Sequence, residues 1–137
     1  MYIINDIDFL LLLNKLGILK IITETNVVAY SEVRLLDYSN YTKNAVRNIR
    51  NIEKIRVDES FNDWMKSKRK YLTLSDLSTI YIAKQRIENC IVITLEDEML
   101  IGHLAELKVS YVLADEFIES TVKDKKIIQL YHLLKVA

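Results

Sequence analysis

Asp6, Asp76 and Asp97 stand where carboxylates from distant parts of the chain can act together. Asp6 directly follows the apolar run Tyr2-Ile3-Ile4-Asn5. Asp97 falls just past Cys90-Ile91-Val92-Ile93-Thr94, and Asp76 opens the helical segment that leads into that run. Asp37, shortly after a second β-rich run, makes a fourth. Carboxylates brought close together repel and raise one another's pKa, a cost that a hard divalent cation removes. Magnesium and manganese are such cations. Bound there, either one lowers the pKa of a coordinated water and offsets charge growing on a phosphate, and a pair of ions about 4 Å apart holds attacking and leaving oxygens together. Hydrolysis of a phosphodiester uses all of these effects.

Taken singly, each acid also has a structural reading. Thr73-x-x-Asp76 fits a capping box, with Asp76 as the reciprocal partner of Thr73. Asp97 is favoured near a helix N-terminus by the macrodipole. Asp6 suits a turn or N-cap, and Asp37 a solvated helical face. Convergence is what turns these acids into a site, and convergence depends on the elements that carry them.

Short β-branched runs alternate with longer stretches of helical period, the pattern of an α/β domain with a central parallel sheet of about five strands flanked by helices. The first unit is a strand over residues 2–5, an acidic turn, and a helix from Asp8 to Leu16 that Gly17 ends in the C′ position. A second strand runs over residues 26–30, with Ser31 as N-cap of a helix through Glu32, Leu35 and Leu36. Between residues 41 and 70 the pattern weakens to a short strand over 52–57 and a short helix around 61–65. Thr73 then opens a helix through Ile87, followed by the strand 90–94, a helix over 97–107, a strand over 109–113 and helical segments at 115–121 and 125–135. With no proline, two glycines and no internal repeat, the 137 residues read as one domain.

Composition narrows the classes further. Nineteen basic and nineteen acidic side chains cancel, so no overall field draws the chain to nucleic acid or to an anionic membrane, and any such contact must be local. One cysteine, Cys90, excludes an intramolecular disulfide or a cysteine-based zinc site and fits a reducing cytoplasm. Asp6 and Asp8 interrupt the apolar N-terminal stretch, which has neither the basic region nor the cleavage site of a signal peptide, and no apolar run reaches membrane-spanning length. His103 and His132 have no metal-ligand spacing and read as helix-surface or packing residues.

The stretch Leu72-Thr73-Leu74-Ser75-Asp76-Leu77-Ser78, running through Lys84 and on to Ile91-Val92-Ile93-Thr94, resembles the helix-then-strand signature of the PIN-domain nucleases. Asp97-x-x-Leu100-x-x-x-Leu104-Ala105-Glu106 is similar to the following segment of that family, in which an acid opens a helix bearing a leucine three residues on. Ile3-Ile4-Asn5-Asp6-Ile7-Asp8 resembles its first strand, with Asp6 on the first acid and Asp8 where Asn or Ser is usual. The family places a Glu shortly after strand 2, and counting from Ser31 puts Asp37, rather than Glu32, at that position. Leu95-Glu96 replaces the small residue often found before the fourth acid and makes Glu96 a rival ligand.

The resemblance, which spans roughly residues 2 to 113, implies a single PIN-like domain acting as a metal-dependent endoribonuclease. Asp6, Asp76 and Asp97 would hold Mg2+ or Mn2+, Asp37 would help position a second ion or the attacking water, and Asp8, Glu32 and Glu96 would be neighbouring or alternative acids. For a domain of this length it also implies the toxin of a toxin and antitoxin pair, with an antitoxin protein as partner. Lys66, Lys68, Arg69 and Lys70, beside Trp64 and Tyr71, form the densest basic cluster and a candidate grip on the RNA backbone, or else a solvated loop. The segment from Lys125 to Val136 carries more apolar surface than one docking face needs, which suggests a homo-oligomer or partner contact. Two other readings stand beside the nuclease. One is a PIN-like module that binds without cleaving. The other is a phosphoacceptor receiver, which Asp58 and Thr94 fit superficially but which needs a Lys just after the last strand, whereas Lys108 precedes it.

Overall fold

In a computed structural model that describes residues 1–68 and 72–135, five strands form one all-parallel sheet. The strands are β1 (Tyr2–Ile4), β2 (Val28–Ser31), β3 (Glu53–Ile55), β4 (Ile91–Thr94) and β5 (Tyr111–Leu113), in the order β3-β2-β1-β4-β5. Ile3 of the central strand lies beside Ala29 on one side and Val92 on the other. Strands β1, β2 and β4 are short and nearly all apolar, as expected of strands covered on both faces.

Period-two alternation sends successive side chains to opposite faces of the sheet. Ile4 and Ile93 join one core with Leu10 and Leu13 of α1 (Ile7–Lys15), Leu19 of α2 (Ile18–Thr23), Phe117 of α7 (Ala114–Thr121) and Tyr131 of α8 (Lys125–Leu134). Ile3 and Val92 join the other, with Phe61 of α4 (Ser60–Lys68), Leu77 and Ile80 of α5 (Leu74–Gln85) and Leu100 and Leu104 of α6 (Glu98–Glu106). The remaining helix, α3 (Asn40–Arg47), contributes Val46 to the first core. The chain steps outward from β1 through β2 to β3 and then returns to the far side of β1 as β4. The reversal opens a crevice between the carboxyl ends of β1 and β4, the place where open α/β sheets bind ligands.

Two local expectations are corrected. Ser31 ends β2 with its hydroxyl buried against the Ser78 hydroxyl at 2.6 Å, so it does not cap a helix, and the segment that follows is a single tight 3₁₀ stretch, Glu32–Asp37. Gly17 does end α1 in a left-handed conformation, at φ 75°, but a further helix starts at once, because Ile18, Leu19 and Ile22 form a buried stripe of their own. Nothing lies within 4 Å of a β-carbon added at Gly17, so Gly17→Ala meets only the backbone strain of that conformation. A loss of about 1 kcal/mol is expected, measured by urea denaturation.

Among the described residues no helix is long and apolar enough to cross a membrane. Cys90 is buried, and burial pushes its thiol pKa up. Trp64, partly buried, packs against Phe61 and Tyr81 at the edge of the core, with ring centroids 6.3 and 5.4 Å away. His103 bonds the Met99 carbonyl on its own helix and His132 pairs with Glu119, both at the helix surface. On α8, Leu130, Leu133 and Leu134 stay exposed.

Candidate functional site

Helix N-termini carry the acids at the crevice. Asp6 is the N-cap of α1, and its Oδ1 accepts the Phe9 N–H at 3.0 Å. Asp97 is the N-cap of α6, and its Oδ1 accepts the N–H groups of Met99 and Leu100 at 3.1 and 3.3 Å. Both acids are therefore caps, as their sequence positions allow. Capping engages only one oxygen of each carboxylate, so it fixes the side chain while leaving Oδ2 to another partner. The capping and the ligand-holding readings of these residues are compatible.

Asp76 behaves differently. Thr73 caps α5 by accepting the Asp76 N–H at 3.1 Å, which is one half of a capping box. The reciprocal half is replaced: the Asp76 carboxylate turns into the crevice, where Oδ1 accepts a very short bond from Nη2 of Arg34 and another from Nδ2 of Asn5 at 3.3 Å. Arg34 Nη2 also donates to Oδ1 of Asn5 at 2.7 Å, closing a three-residue ring. The side chains of Arg34 and Asp76 are each 13% exposed.

Asp6, Asp37, Asp76 and Asp97 line one open cleft of about 260 Å³, together with Asn5, Arg34, Thr73, Thr94 and Leu95. Asp37 reaches it from the end of the 3₁₀ stretch, where it accepts a bond from the Ser75 hydroxyl and lies 3.8 Å from Arg34 Nη1. Among the described residues, four carboxylates and one guanidinium line this cleft. The surrounding field is negative: the pKa of the Tyr38 hydroxyl is pushed up to about 12, by burial first and then by Asp6 and Asp8, and that of Asp8 is raised by burial and by Asp6. A cavity at the opposite ends of the strands, beside Met1 and Asn89, has Glu88 as its one carboxylate among the described residues.

The other predicted acids lie outside this cleft. Asp8 is exposed on α1, Glu32 pairs with Arg56 at 2.7 Å, and Glu96 is exposed in the turn before α6. Of the two candidates for the acid after strand 2, Asp37 is the one that lines the cleft. Lys66 is exposed on α4, 3.9 Å from Asp63, and Lys68 is half-buried at the end of that helix. Arg69 and Lys70 lie outside the described residues.

Sequence reasoning passed over Asn5 and Arg34. Both carry a readable signal. Asn5 is a polar residue ending a buried strand and so needs partners. Arg34 stands three residues before Asp37, a spacing that superimposes side chains in a 3₁₀ turn.

The donor chemistry fits magnesium or manganese, since carboxylate and amide oxygens are the ligands hard cations take. Asp76, Asn5 and Asp37 are arranged around Arg34 instead. Among the described residues no three Asp, Glu, His or Cys side chains stand close enough to hold a metal ion as they are. Comparison with protein-family models, with curated proteins and with solved structures finds no match to this chain.

Proposed function

We propose that the chain is a metal-dependent endoribonuclease of the PIN-domain kind, with Asp6, Asp76 and Asp97 as the residues that would hold Mg2+ or Mn2+. The observation that carries this reading is the gathering of four acids, from four separate segments, at the switch point of a parallel sheet. Left bare, such a cleft repels a phosphate; with a divalent cation it attracts one, which is why this donor set suits phosphodiester chemistry. The ion would supply charge neutralisation and an acidified water.

The chain's own residues do the positioning. Helices α1 and α6 fix Asp6 and Asp97 through Oδ1, so neither carboxylate must be ordered at the moment of binding. Asn5 bonds Asp76 through Nδ2 and sets its rotation. The resemblance alone favours a toxin with an antitoxin partner. A second reading, a module of the same kind that binds without cleaving, is favoured by one observation, the pairing of Asp76 with Arg34.

Purified protein is expected to cut single-stranded RNA in manganese or magnesium and to stop when EDTA removes the metal, with activity restored by excess Mn2+. Cleavage that persists unchanged in EDTA would refute a metal mechanism. Manganese binding without cleavage of any RNA would favour the binding module.

A further inference from the structure

Arg34 is the single cation lining the acidic cleft among the described residues, and its placement is incomplete. Nη2 is fully engaged by Asp76 and Asn5, whereas Nε is buried with no partner. A buried N–H left unpaired makes this seat less favourable than its ion pair suggests. A second seat is adjacent. Asp37, on the same 3₁₀ stretch, already lies 3.8 Å from Nη1, and its side chain is 52% exposed.

We propose that Arg34 is the resident counter-cation of the cleft and moves from Asp76 to Asp37 when a divalent metal binds. This rests on the metal-site reading above and adds a regulated exchange to it. Two cations cannot share the Asp76 carboxylate cheaply, because they repel each other across a half-buried site where the effective dielectric constant is low. Swinging the Arg34 guanidinium toward the more exposed Asp37 reduces that repulsion, keeps the guanidinium paired and frees Asp76 Oδ1. Asp37 then acts as a positioning residue that receives the arginine, rather than as a metal ligand. By linkage, Arg34 weakens metal binding by the same factor by which metal weakens the Arg34–Asp76 pair.

A double-mutant cycle on Mn2+ affinity, read by calorimetry without RNA, tests the exchange. Arg34→Gln is expected to bind Mn2+ on the order of tenfold more tightly than wild type. Asp37→Asn is expected to bind it more weakly in the wild-type background, because Arg34 loses its second seat, and to lose several-fold less in the Arg34→Gln background. Equal losses in both backgrounds would make Asp37 a ligand and overturn the exchange, as would an Arg34→Gln protein with unchanged or weaker affinity. Should a variant fail to fold, the wild-type protein gives its own answer. Its Arg34 Nε–H resonance should shift as Mg2+ is added, and a resonance unmoved at saturating Mg2+ overturns the proposal. No Mn2+ binding by any of these proteins would overturn the metal-site reading itself, and the exchange with it.

Discussion

Asp76→Asn is expected to lower metal-dependent RNA cleavage by at least about a hundredfold, the scale seen when one charge-stabilising group is removed from a catalytic site. Asparagine has the shape of aspartate, and the Thr73 cap rests on the backbone N–H of residue 76, which the substitution keeps. The start of α5 should therefore survive, and the loss should be one of charge at the cleft. Arg34 loses its main carboxylate partner in the same step. Removing one partner of a buried ion pair costs about 3–5 kcal/mol, and less here because both side chains keep some exposure and Asp37 stands ready to take the guanidinium. Initial rates at saturating Mn2+, alongside a urea melt, separate the two effects. A rate within a few-fold of wild type would remove Asp76 from the mechanism.

The largest effect on stability is expected at Tyr131, which does not line the cleft. It is 1% exposed on α8, meets Phe9 edge to face at 6.0 Å, and donates its hydroxyl to Asp115 at 2.7 Å. Tyr131→Ala should cost about 3–5 kcal/mol, as other large aromatic truncations do, because it removes the one fully buried anchor of α8. Tyr131→Phe, which keeps the ring, should cost only about 1 kcal/mol. The same hydroxyl, with Lys135, holds the Asp115 carboxyl below its ordinary value. A lowered folded-state pKa means that this contribution is present above the unfolded value of 3.8 and fades as pH falls through the folded one. Tyr131→Phe should flatten that acid-side decline. Urea denaturation across the acid range measures both effects, and an Ala variant within about 1 kcal/mol of wild type would show that α8 is anchored elsewhere.

The contrast between these two positions shows what the linear order of residues conveys. Strands β1, β2 and β4 were legible because short, nearly continuous apolar runs are what a doubly covered parallel sheet requires. Their carboxyl ends could be named from the same runs, and the acids just beyond them line the cleft. The weak stretch over 41–70 holds α3, β3 and α4, and its difficulty has a physical source. The edge strand β3 keeps Glu53 and Lys54 exposed, so no apolar run marks it. Arg34 was passed over for another reason, although its spacing to Asp37 carried a signal. A positive residue among acids contradicts the expectation of a pure ligand set, and its spacing points to Asp37, whereas its pairing with Asp76 is seen in the folded chain. Ser31 likewise had the identity of a cap, while tertiary packing gave its hydroxyl to Ser78.

Arg34 also changes how the acids are to be understood. A cleft of four carboxylates needs compensation in the absence of metal, and here the chain supplies part of it from within. The Arg34–Asp76 pair offsets part of the repulsion among the cleft's carboxylates.

Anomalous scattering from crystals soaked in Mn2+ would locate the ion and its ligands in one experiment. A manganese peak is expected in the cleft, bonded to carboxylate oxygens of Asp6, Asp76 and Asp97, with Arg34 turned from Asp76 toward Asp37. A cleft without a peak at saturating Mn2+, and with Arg34 still on Asp76, would contradict the metal-site reading.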